Sequence, residues 1–124
     1  VFYVQYAHAR ICGIIKAILD QGASVKKFSE INPALLTHEK EIDLMKMIAK
    51  FPEEIRTAAI SREPSRITKY SMDLAAAFHA FYGACKVSCE DEELKNARLA
   101  LVAACGRTIK NSLSVLGITA PEHM

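Results

Sequence analysis

The sequence predicts an all-α fold, a helical bundle of about five helices forming a single domain over residues 1–124. Three observations carry that prediction. Apolar residues recur at threes and fours in almost every segment, and no segment alternates apolar with polar residues as a half-buried strand does. All four prolines fall at the edges of these periodic runs, where helices start or stop. The chain has 124 residues, 51% of them hydrophobic and 24% charged, which suits one soluble domain with a real core.

The first helix runs from near the start to about Asp20, with Ile11, Ile14 or Ile15, and Ile18 pointing inward, and Gly22 ends it. Residues 21–38 form a long connection containing Asn32-Pro33, with a short helical turn over residues 33–36. The second helix starts near Thr37, a good N-cap, with Glu39 in its first turn. Its inward stripe is Ile42, Met45 and Ile48 or Ala49. Phe51-Pro52 interrupts the run, and Pro52 suits the first position of a third helix carrying Ile55, Ala58 and Ala59. That helix stops before Glu63-Pro64.

Pro64 opens the fourth and most strongly patterned helix, where Ile67, Tyr70 or Ser71, Leu74, Phe78, Phe81 and Cys85 share one face. Ala75, Ala76 and Ala77 let a neighbouring helix come close. The last helix is announced by Ser88 with Asp91 three residues later, a capping-box spacing, and by acids from Glu90 to Glu93 near the positive end of its dipole. Leu94, Ala97, Leu101, Cys105, Ile109, Leu113 and Leu116 then form one stripe. A helix of about 25 residues is nearly 40 Å long. Gly117 stops it and Pro121 prevents its resumption.

The formal net charge is only +2, so no overwhelming basic field marks a nucleic-acid binder. From Lys95 onward, however, four cations (Lys95, Arg98, Arg107, Lys110) face one acid, Glu122, so a local basic stripe is open to the fold. No apolar stretch approaches the roughly 20 residues of a membrane span, and no signal-peptide pattern appears in these residues. The chain begins at Val1 inside a helical run and reads as a piece of something longer. Cys12, Cys85, Cys89 and Cys105 lack the paired spacing of a metal site and are expected to be buried free thiols in a reducing cytosol. No phosphate-cradling loop, nucleophile elbow or metal-binding His-Glu pair occurs, so catalysis by this chain alone is not expected.

What remains is a binding surface. Tyr3, Tyr6 and Arg10 stand at spacings of three and four, side by side on one helical face. Two flat rings and a fixed cation suit unstacked nucleotides, the rings for bases and the guanidinium for a phosphate or base edge. The alternative for the chain as a whole is a helical protein-interaction module whose apolar stripes receive a partner helix; it explains the bundle and the near-neutral charge equally well but leaves the Tyr-Arg stripe unexplained.

Several segments, in order, resemble the C-terminal domain of class I arginyl-tRNA synthetases. They are Tyr6-Ala7-His8-Ala9-Arg10-Ile11, Phe51-Pro52-Glu53, Glu63-Pro64 with Ile67 and Tyr70, and Asp73-Leu74-Ala75 followed by Phe78-His79-Ala80-Phe81-Tyr82. Ala97-Arg98-Leu99-Ala100-Leu101 and Leu116-Gly117-Ile118-Thr119-Ala120-Pro121-Glu122-His123-Met124 complete the series. The resemblance implies an anticodon-binding domain of the DALR type, although the four-letter signature is absent and Asn96-Ala97-Arg98-Leu99 stands in its place.

It further implies a cytoplasmic arginine-tRNA ligase in which an upstream catalytic domain joins arginine to tRNA(Arg) using ATP with Mg. This fragment itself would carry no cofactor and meet the anticodon stem-loop. By the family pattern Tyr3 and Tyr6 stack on bases, Arg10 bonds a base edge or phosphate, and Tyr82 packs beside the anticodon. Met124 brings a terminal carboxylate that can accept from a cytosine amino group. Phe78 and Phe81 read as core, and His8 and His79 as helix-packing residues. Arg98 and Arg107 are left between phosphate contact and plain solvation.

Overall fold

Capping chemistry sets where each helix begins and ends in the computed structural model, which describes residues 2–124. Helix α1 spans Phe2–Asp20. It closes on Gly22, whose φ of +83° puts it in the left-handed region, while the Gly22 N–H donates to Leu19 and the Ala23 N–H to Ile18. Two 3₁₀ turns follow, Phe28–Glu30 and Pro33–Leu35. The second matches the expected turn; the first was not foreseen. Helices α2 (Glu39–Ala49) and α3 (Phe51–Ser61) are separated only by Lys50. Helix α4 is Ser65–Ala84 and α5 is Glu92–Val115. Among the described residues there is no strand.

Two caps differ from expectation. Helix α2 is capped by His38 rather than Thr37: its Nδ1 accepts the Lys40 N–H at 3.0 Å, and Glu41 Oε1 accepts the His38 N–H at 3.0 Å. Helix α5 is capped by Asp91 itself, which accepts from Glu93 and Leu94, so Ser88 lies outside it. The end of α5 follows the rule seen on α1, with Gly117 at φ +72° and the Ile118 N–H donating to Leu113 at 2.9 Å.

Helix α5 packs against α1, α2 and α4, and α4 packs against all four other helices. The α5 stripe is buried from Ala97 through Leu113, and the α4 stripe from Ile67 to Cys85 is buried against it. Phe78 and Phe81 are fully enclosed. At Gly106 the α1 and α5 backbones come so close that a Cβ built there would stand 2.8 Å from Ile11 Cγ2.

The inward face of α2 is rotated by about one residue from the expected stripe. Glu41 and Leu44 are buried and Ile42 is 37% exposed. A charged residue turns inward because Arg98 meets it: Arg98 Nε donates to Glu41 Oε2 at 2.8 Å, and Arg98 Nη1 donates to the Lys86 carbonyl at 2.7 Å. Arg98 thereby leaves the set of candidate phosphate contacts, while Arg107 stays exposed. The four cysteines are free. Cys85 and Cys105 are buried as expected, and burial pushes the Cys105 thiol up to about 12. Cys12 and Cys89 are only half-buried, which corrects their assignment to the core.

Candidate nucleic-acid interface

Helix α1 buries Val4, Ala7, His8, Ile11 and Ile18, so the opposite side of the same helix must face water. That side carries Tyr3, Tyr6 and Arg10. Tyr3 is 43% and Tyr6 54% exposed, and Arg10 is exposed as well. The three are therefore open to a partner.

Helix α4 supplies the second wall. Its C-terminal half crosses α1 so that the Arg10 guanidinium lies over the Tyr82 ring, 5.0 Å from its centroid. Tyr82 in turn stacks on Phe78, with centroids 5.8 Å apart and planes inclined by 18°. A ladder thus runs from the enclosed Phe78 through the half-buried Tyr82 to the exposed Arg10. Tyr82 is a support for Arg10 more than a bare platform, since the guanidinium already covers part of its ring. Cation–π contact of this kind orients an arginine without neutralising it.

His79 joins the face. Its ring lies 5.4 Å from Tyr3 and 5.4 Å from Phe78, tilted to both. Burial, and then the Arg10 charge, hold its pKa below the usual histidine value. The imidazole is accordingly neutral at pH 7, leaving Arg10 as the local cation. The sequence motif contained His79, but nothing in it distinguished packing inside the bundle from packing beneath Tyr3.

The chain end forms the third wall. After Gly117 the backbone turns back along α1, and Met124 arrives 57% exposed. A shallow cleft of about 240 Å³ lies between Tyr6, Arg10 and Gly13 on α1 and residues 122–124. Three of the five residues singled out from the sequence, Tyr6, Arg10 and Met124, line this one cleft. Tyr82 touches it through Arg10, and Tyr3 lies one turn along α1 beside His79. The face therefore offers two open phenol rings, one oriented guanidinium and an exposed Met124, without a buried acid–base pair. It can bind flat, anionic, hydrogen-bonding partners, the description of a splayed single strand of nucleic acid.

A family model described as the DALR anticodon binding domain matches residues 4–124. Along its whole length the chain is 47% identical to an arginine–tRNA ligase of Caldanaerobacter subterraneus subsp. tengcongensis and 49% identical to one of Symbiobacterium thermophilum. It spans 22% of the length of each. Among solved structures it is similar to Thermus thermophilus arginyl-tRNA synthetase, with a TM-score of 0.81 and 33% identity over 98% of this chain and 21% of that one.

Proposed function

The chain belongs to the DALR anticodon binding domain family, and from that premise we propose that it receives the anticodon loop of tRNA(Arg) on the face built by α1, the end of α4 and the chain terminus. The observation that supports this most is the Arg10 guanidinium held over Tyr82 at the mouth of the cleft lined by Tyr6 and Met124. An unstacked base finds an open ring at Tyr6 or Tyr3, and stacking of this sort contributes about 1–3 kcal/mol per base. Arg10 donates to a phosphate or to an acceptor edge of a base, with its plane already set by Tyr82. Met124 matches the family's terminal residue, and the carboxylate this implies, an acceptor only, selects a base that presents an amino group.

On this reading residues 1–124 are one domain of an arginine-tRNA ligase, a cytoplasmic enzyme of protein synthesis. Formation of the arginyl adenylate with ATP and Mg, and transfer to the tRNA, belong to an upstream catalytic domain of the same polypeptide. The similarity to ligases of about five times this length supports that division. No described helix is long and apolar enough to cross a membrane.

The test is a titration of the full-length protein with an anticodon stem-loop carrying an arginine anticodon, beside one whose middle base is changed. Affinity should fall for the altered loop, and for both loops as salt rises, because phosphate contacts release counterions. Equal binding of the two loops would remove base reading from this face.

A further inference from the structure

Residues 118–124 follow the end of α5 in a non-helical path, anchored at its start by the Ile118 N–H on Leu113 and by Ile118 and Ala120 against the core. Beyond Ile118, two α1 side chains bond its backbone. Gln5 Nε2 donates to the Thr119 carbonyl at 2.9 Å, and His8 Nδ1 lies 2.8 Å from the Pro121 carbonyl. A carbonyl only accepts, so His8 carries its proton on Nδ1 and donates it. The match is geometric. Residues three apart on a helix share a face, and alternate carbonyls of an open chain point the same way. Gln5 and His8 thus present two donors one turn apart to two carbonyls two residues apart. His8 is only 5% exposed, with Cys12 Sγ against its ring at 3.8 Å from Nδ1, so the imidazole has little room to turn away. Among the described residues, His8 makes the last hydrogen bond to the chain before its end. Directly beyond it, residues 122–124 close the cleft against Tyr6 and Arg10.

We infer that Gln5 and His8 are positioning residues, a two-point latch that fixes the chain terminus on α1 and so sets where Met124 stands in the binding cleft. The inference rests on the reading of that cleft as an anticodon site. The division of labour on α1 is then explicit: one side of the helix offers rings and a cation to RNA, and an adjacent side holds the segment that completes the same site. Neither latch residue touches the RNA in this arrangement.

The experiment has two parts, both on the full-length protein. The first measures release of Met124 and His123 by a carboxypeptidase without RNA, for the unaltered protein and for His8→Ala, Gln5→Ala and His8→Asn. Loss of one hydrogen bond should speed release about three- to tenfold in the alanine variants. Asn, whose amide nitrogen reaches the place of Nδ1, should restore most of the protection. The second measures stem-loop binding by His8→Ala and Gln5→Ala with and without residues 122–124. Affinity should fall about three- to tenfold in the complete chain and should not fall further once the terminus is deleted. Unchanged release would overturn the latch, and equal losses with and without residues 122–124 would overturn its connection to binding. Failure of the anticodon reading itself would show separately, as equal binding of the two loops by the unaltered protein.

Discussion

Replacing Arg98 by methionine should be among the most damaging single changes on this chain, even though sequence places Arg98 among the candidates for RNA contact. Its Nε meets a carboxylate that is 1% exposed, and its Nη1 satisfies the Lys86 carbonyl in the segment between α4 and α5. Methionine keeps the length and removes both donors. Glu41 then stays buried as an anion whose remaining partner is the His38 N–H at 3.0 Å. Breaking a buried ion pair from one side costs about 3–5 kcal/mol, because the surviving charge has lost its compensation. Urea unfolding of the 124-residue chain followed by circular dichroism reads this directly. The partner change Glu41→Gln keeps the acceptor for His38 and removes the charge, so the double variant should recover about 2 kcal/mol relative to additivity. RNA binding supplies the complementary measurement. An inward guanidinium releases no counterions, so the salt dependence of stem-loop affinity should keep its slope in Arg98→Met full-length protein. A loss of stability below about 1 kcal/mol, or strictly additive single variants, would refute the view that this pair fixes the face of α2.

Phe78→Ala should lower stability by about 3–5 kcal/mol, the usual range for an enclosed phenylalanine, as measured by urea unfolding. Tyr82→Ala should weaken stem-loop binding and also cost about 1–2 kcal/mol of stability through the lost stack on Phe78. Gly106→Ala should destabilise, because the Ile11 methyl 2.8 Å away is stiffly held in its helix and overpacking of about 1–3 kcal/mol outweighs the helix-propensity gain. Gly83→Ala, with nothing within 4 Å of the new methyl, should instead stabilise by about 0.5–1 kcal/mol, and thermal unfolding of the pair separates the two cases. Because the folded state holds the His79 pKa below its unfolded value, the unfolded chain binds more protons as pH falls beneath about 6.5, and stability drops there. His79→Gln should remove that part of the loss in melting temperature between pH 7.5 and pH 5.5.

What could be read from the sequence was what the chain decides locally. The stripes of α4 and α5 follow from spacing alone, and both ends that close on glycine follow from the need for positive φ at Gly22 and Gly117. The face of α2 could not be read that way. A pattern that sends charges outward has no means of knowing that Arg98, on another helix, will neutralise Glu41. The cap at His38 was missed for a related reason: its imidazole accepts there, and Thr37 offered the commoner chemistry one residue earlier.

The proposed binding face divides along the same line. Tyr3, Tyr6 and Arg10 share a side of α1 by helical arithmetic, but three such residues on an isolated helix would be mobile side chains in water. Contact with distant parts of the chain changes that. Tyr82 holds the guanidinium of Arg10, His79 sits beneath Tyr3, and the terminus returns to wall the cleft beside Tyr6. An arginine already laid on a ring loses less rotational freedom when it meets RNA, so more of its interaction energy appears as affinity. Lysine at position 10 would keep the charge, yet its compact ammonium on a flexible stem lacks the flat surface that Tyr82 supports. The long-range packing of the bundle is therefore what turns a locally legible trio of residues into a surface with a defined geometry.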